Sequence, residues 1–138
     1  MNRVLCVDDE PALLRVYKDE LSEEGYEVIL ARDGKEALAV LSKENVQAVI
    51  LDIRMPQMDG LEALVVMLGK NRTIPVILHT AYPEYKENLI AWGAEAFVTK
   101  SDDLSELKQT IREVLHRKKR VTDGPAKDAS KPRRKFPP

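Results

Sequence analysis

The chain alternates five times between a short β-branched apolar run and a longer stretch whose apolar residues recur every three or four positions. The runs predict strands at Val4 to Val7, Val28 to Leu30, Ala48 to Leu51, Val76 to Leu78 and Ala96 to Val98. Most are apolar throughout rather than alternating, the pattern of strands covered by helices on both faces. Between and after them, Leu13, Tyr17 and Leu21 make one helical stripe. Ala37, Leu38 and Leu41 make a second, Leu61, Leu64, Val65 and Leu68 a third, and Leu104, Leu107 and Ile111 the last. Pro11 suits a first helical turn, where its missing N–H would have no partner anyway, and Gly25 suits the end of that helix. A helix starting near Pro83 has the fewest anchors, Leu89, Ile90 and Trp92. Such βα units, joined by right-handed crossovers, predict an α/β fold: a doubly wound five-stranded parallel sheet in the order 2-1-3-4-5.

In that order the chain reverses direction between strands one and three, and ligands of such sheets bind there, outside the carboxyl ends of the strands. Strand one ends on Asp8 and Asp9, and strand three ends on Asp52. Three carboxylates a few ångström apart repel by on the order of a few kcal/mol, and a hard divalent cation is the natural compensator. Mg2+ or Mn2+ is therefore expected, with the backbone carbonyl of Arg54 as a neutral third ligand. Thr80 ends strand four and Lys100 ends strand five, so a hydroxyl and an ammonium reach the same rim. Together they suit phosphoryl chemistry, with Asp52 as the nucleophile that forms an acyl phosphate and Lys100 neutralising charge on the transferring oxygens. Taken alone, Asp8 and Asp9 would read as the N-cap of the first helix. Asp102 and Asp103 read as the N-cap region of the last helix. His79, inside an apolar strand, reads as a satisfied core or rim histidine, and the lone Cys6 as a small buried hydrophobe.

At 138 residues the chain has room for one domain and a tail. It lacks the ~20-residue apolar stretch that spans a bilayer and a secretory leader, so a cytoplasmic location is expected. Charge is unevenly spread: residues 1–115 carry a net −8 and residues 116–138 a net +7. Residues 1–117 are expected to form the domain and 118–138 a basic, proline-containing disordered tail. The tail is too short for a DNA-binding output domain, so specific DNA recognition is not expected. Non-specific contacts with polyanions, acidic partners or the acidic body remain open.

The stretch Val7-Asp8-Asp9-Glu10-Pro11, the run Leu51 to Pro56 with Met58-Asp59-Gly60, the pair Thr80-Ala81, the run Gly93 to Phe97, and Lys100 resemble the receiver domains of two-component response regulators. The matching segments span nearly all of residues 1–117. The resemblance implies the flavodoxin-like (β/α)5 receiver fold and phosphorylation of Asp52 by a histidine kinase or phosphotransfer protein. It implies that Asp9 and Asp52 bind Mg2+ directly, Asp8 mainly through water, and that Thr80 and Lys100 bind the phosphoryl oxygens. Phe97 matches the aromatic that turns inward as Thr80 moves, changing the face built by the fourth helix, fifth strand and fifth helix. Arg54 and Tyr82 match positions flanking the path of the hydrolytic water, and bulk at Tyr82 predicts slow self-hydrolysis.

One departure stands out. Most receivers follow the lysine with a cis proline, whereas this chain reads Lys100-Ser101-Asp102-Asp103. A cis bond before a non-proline costs about 2.5 to 4 kcal/mol, so a trans bond or a rearranged loop is expected here. The expected role is thus a phosphoacceptor signalling protein, monomeric or dimerising on phosphorylation, with an unidentified downstream partner. An Asp-nucleophile phosphatase resembling the haloacid dehalogenase family would need a second acid where Arg54 stands. The alternative is a receiver-like module that binds partners without phosphorylation.

Overall fold

The computed structural model describes residues 2–52, 74–85 and 93–123. Five strands, β1 (Arg3–Val7), β2 (Glu27–Ala31), β3 (Ala48–Leu51), β4 (Val76–Thr80) and β5 (Ala96–Thr99), form one sheet in the order β2-β1-β3-β4-β5. Every neighbouring pair is parallel. The expected order and class are therefore the observed ones. The helices among the described residues are α1 (Pro11–Glu23), α2 (Gly34–Lys43) and α3 (Ser105–Asp123), with a single 3-10 turn at Pro83–Tyr85. The loop after Asp52, including Arg54, the stripe Leu61 to Leu68, the anchors Leu89, Ile90 and Trp92, and residues 124–138 lie outside the described residues.

Strand alternation sorts the core into two layers. Leu5, Val7, Val49, Leu51 and Leu78 point to one face and pack with Ala37 of α2, while Val4, Cys6, Ala48, Ile50, Ile77 and Val98 point to the other. That second face receives Leu14, Tyr17 and Leu21 of α1 and Leu107, Ile111 and Val114 of α3. Strands β1 and β3 are buried through nearly their whole length, which accounts for their unbroken apolar runs.

The helix ends follow from local chemistry. Pro11 stands in the first turn of α1, and Gly25 follows its last residues at φ +97°, a left-handed conformation that glycine adopts without strain. Asp33 caps α2 by accepting from the Glu36 amide at 2.9 Å, and Asp103 accepts from the Ser105 amide at 3.0 Å at the start of α3. Glu10 is the N-cap residue of α1 and makes no side-chain cap, so the N-cap reading of Asp8 and Asp9 does not hold. The backbone of α3 continues to Asp123, across residue 117. The run Arg117-Lys118-Lys119-Arg120 consists of good helix formers, which suits the continuation of the helix.

Candidate functional site

The site grows out of the strand register. Val7 on β1 stands beside Leu51 on β3, and Leu51 beside Leu78 on β4. Ladder bonding runs one residue beyond the strand ends, with the Asp8 amide donating to the Ala31 carbonyl and the Asp52 amide to the Val7 carbonyl, each at 3.1 Å. Asp8 and Asp52 thus leave the sheet side by side, two residues after Cys6 and Ile50 and on the same face. Asp8 is fully buried, Asp52 is 5% exposed, and Asp9 reaches into solvent. One carboxylate oxygen from each of the three lies within 4.8 Å of the others.

Lys100 supplies the positive charge that this cluster requires. Its ammonium donates to Asp8 Oδ2 at 2.8 Å and to Asp52 Oδ2 at 3.2 Å. Burial works against the ammonium, but the hydrogen bond to Asp8 and the charge of Asp52 outweigh it and hold Lys100 above its ordinary pKa. The remaining oxygen of Asp8 accepts from the Glu10 amide at 3.0 Å, which fixes that carboxylate's rotation. All three acids offer hard oxygen ligands, one of them on the solvent side, so the set fits a divalent cation such as Mg2+.

The turn after Lys100 contains no cis peptide; none occurs among the described residues. The Lys100 amide donates to the Thr80 carbonyl at 2.7 Å, and Ser101 Oγ donates to the Asp103 carbonyl at 3.1 Å. A trans Lys100–Ser101 bond therefore still delivers the ammonium to Asp8 and Asp52. Thr80 is fully buried, and its hydroxyl accepts from the Tyr82 amide at 3.3 Å. Phe97, beside Leu78 in the register, is half-buried against the cluster containing Leu78, and Tyr82 is half-buried as well. The structure thus brings Asp8, Asp9, Asp52 and Lys100 together and sets Thr80 on the adjoining strand end.

One neighbour of the site was not anticipated. His79, 2% exposed, shares a hydrogen bond at Nδ1 with the hydroxyl of Tyr17, a fully buried residue of α1. Burial, reinforced by the positive charge of Lys100, lowers the His79 pKa to about 4, so the imidazole is neutral. The signals available in sequence were a histidine interrupting an apolar strand and a tyrosine on an apolar stripe. Nothing local joins two residues 62 positions apart.

Comparison with known proteins now bears on this arrangement. The family model for the response regulator receiver domain matches residues 4–112. This chain belongs to the response regulator receiver domain family. Among solved structures, the response regulator protein TrrA from Thermotoga maritima, in complex with Mg(2+)-BeF, is 42% identical with a TM-score of 0.78, covering 82% of this chain and 98% of that one. TrrA in complex with the histidine kinase ThkA gives a TM-score of 0.77 at the same identity, with 83% of this receiver chain and 99% of that chain covered. A probable transcriptional regulator, ycf27 of Pyropia yezoensis, is 38% identical over 122 residues, which are 87% of this chain and 50% of that protein. The receiver chain spans about half the length of the first curated relatives it matches.

Proposed function

We propose that this receiver is a phosphoacceptor switch that takes a phosphoryl group on Asp52 from the phosphohistidine of a histidine kinase or phosphotransfer protein. The observation that carries the reading is the convergence of Asp8, Asp9 and Asp52 on one point with Lys100 bridging two of them. In the reaction an Asp52 carboxylate oxygen forms a bond to phosphorus as the phosphorus–nitrogen bond to the donor imidazole breaks, and the imidazole keeps that electron pair and takes up a proton. Asp9 and Asp52, with Asp8 behind them, would hold Mg2+, which when bound supplies charge neutralisation to the phosphoryl oxygens. Lys100 adds a second positive charge, already positioned by Asp8.

The new group brings about −1.5 to −2 charge and strong acceptor oxygens. In the present state the Thr80 hydroxyl is engaged with the Tyr82 amide. Exchanging that bond for a phosphoryl oxygen draws Thr80 and its loop inward and gives Phe97 room to follow, reshaping the surface beside β5 that a downstream partner reads. Such a chain signals and carries out no turnover of a separate substrate, and a cytoplasmic setting follows from its kinase donor. No helix among the described residues is long and apolar enough to cross a membrane. Tyr82 and Arg54 govern access of water to the acyl phosphate, and Tyr82→Ala is expected to shorten the phosphoryl lifetime; an unchanged lifetime contradicts that role.

Incubation with acetyl phosphate, followed by intact-mass measurement, tests the reading. One added phosphoryl group is expected with Mg2+ present, and none in Asp52→Ala or after chelation. A folded wild-type protein that stays unmodified under every condition contradicts it.

A further inference from the structure

The register that joins Asp8 to Asp52 has a third member. Because Leu51 stands beside Leu78, the next residues along, Asp52 and His79, also lie side by side, and His79 shares the face of Ile77. The row across β1, β3 and β4 therefore reads Asp8, Asp52, His79, with His79 in turn beside Val98, two residues before Lys100. Tyr17 covers this row from α1, its ring centroid 5.7 Å from the imidazole and tilted by 54°. Burial, together with the negative charges of Asp8 and Asp52, raises the Tyr17 phenol well above its ordinary range, so a protonated phenol bonds Nδ1 of His79. The bond fixes the ring orientation of His79, which follows Leu78 on β4 as Asp52 follows Leu51 on β3.

Packing alone would place an aliphatic side chain in this buried row more cheaply, since each buried polar group must be matched or else costs about 1–3 kcal/mol. We propose that the Tyr17–His79 pair is a positioning device for phosphoryl transfer. The oriented imidazole stands in the row that carries Asp52, so α1 is tied by a hydrogen bond to the strand ends that hold the nucleophile. The proposal rests on the reading of Asp52 as phosphoacceptor. His79 and Tyr17 are positioning residues in this scheme.

A double-mutant cycle separates this role from a structural one. Tyr17→Phe leaves Nδ1 without its partner, and His79→Leu leaves the phenol without its partner, so each single variant loses stability to urea. In the double variant both polar groups are gone and most of the stability returns. If the pair positions Asp52, phosphorylation by acetyl phosphate at saturating Mg2+ stays about tenfold slow in all three variants, as misplacement of a reacting group costs. His79→Asn, whose side-chain amide can still hydrogen-bond Tyr17, recovers most of the rate. A double variant that is phosphorylated at the wild-type rate, or rates that track stability across the set, overturns the proposal. Should the double variant fail to fold, Tyr17→Phe decides alone, and a wild-type rate there overturns it. A wild-type protein that takes no phosphoryl group overturns the phosphoacceptor reading itself and this inference with it.

Discussion

Lys100 stands where a cation belongs. Its ammonium neutralises two buried carboxylates that would otherwise repel, and it lies close to the point where a divalent ion would draw on the same oxygens. Lys100→Met is therefore expected to destabilise the metal-free protein by about 1–3 kcal/mol, less than for a fully buried pair because the lysine side chain keeps 21% exposure. The same variant should bind Mg2+ more tightly, since a competing positive charge is gone. Urea unfolding with and without chelator, and calorimetry with Mg2+, measure both; unchanged metal-free stability or weaker Mg2+ binding contradicts the assignment. His79 gives a second prediction at this scale. Its pKa falls from 6.5 to about 4 on folding. Above pH 6.5 it is neutral in both states. From there down to about pH 4 only the unfolded chain takes up the proton, so stability drains away at up to ~1.4 kcal/mol per pH unit. The stability advantage of the wild type over His79→Leu should thus shrink as pH is lowered through this window; a gap that widens or stays constant contradicts a buried neutral histidine.

Among elements, α1 and α3 show how little of the fold depends on visible ion pairs. Glu20 pairs with Lys108 at 2.9 Å and Glu24 with Arg112 at 3.0 Å, two rungs one helical turn apart, yet the Arg112 side chain is 57% exposed. Arg112→Ala should cost less than about 1 kcal/mol. Leu107, one residue from Lys108 and fully buried, should cost about 2–5 kcal/mol as Leu107→Ala. Urea denaturation ranks the two, and an equal cost would contradict a core-dominated α1–α3 interface. These helices and all five strands were readable because their apolar periods are set by burial. The apolar runs stop short of two strand ends: β4 and β5 run on to Thr80 and Thr99, polar residues whose backbones still pair in the ladder although their side chains break the apolar run. The extent of α3 was harder to read, because no apolar period marks its last residues and only the helix propensity of Arg117 to Arg120 suits its continuation. Of the site, each carboxylate at a strand end, Thr80 and Lys100 could be located from topology alone. The Tyr17–His79 bond could not, since it depends on which helix face crosses which strand.

For the whole molecule, parallel strands gather every strand end, and with them the acids, at one edge of the sheet. Among the described residues, Lys100 is the cation that neutralises the acidic pocket, bonding both Asp8 and Asp52. Topology, charge and register thus converge on a single nucleophile. An acyl phosphate is reduced by borohydride to an alcohol, which converts a phosphorylated aspartate to homoserine and records its position in the peptide. After incubation with acetyl phosphate and Mg2+, borohydride reduction and peptide mass mapping should place homoserine at position 52 and nowhere else. Homoserine at Asp8 or Asp9 instead, or none in a protein shown to be folded, would contradict Asp52 as the phosphoacceptor.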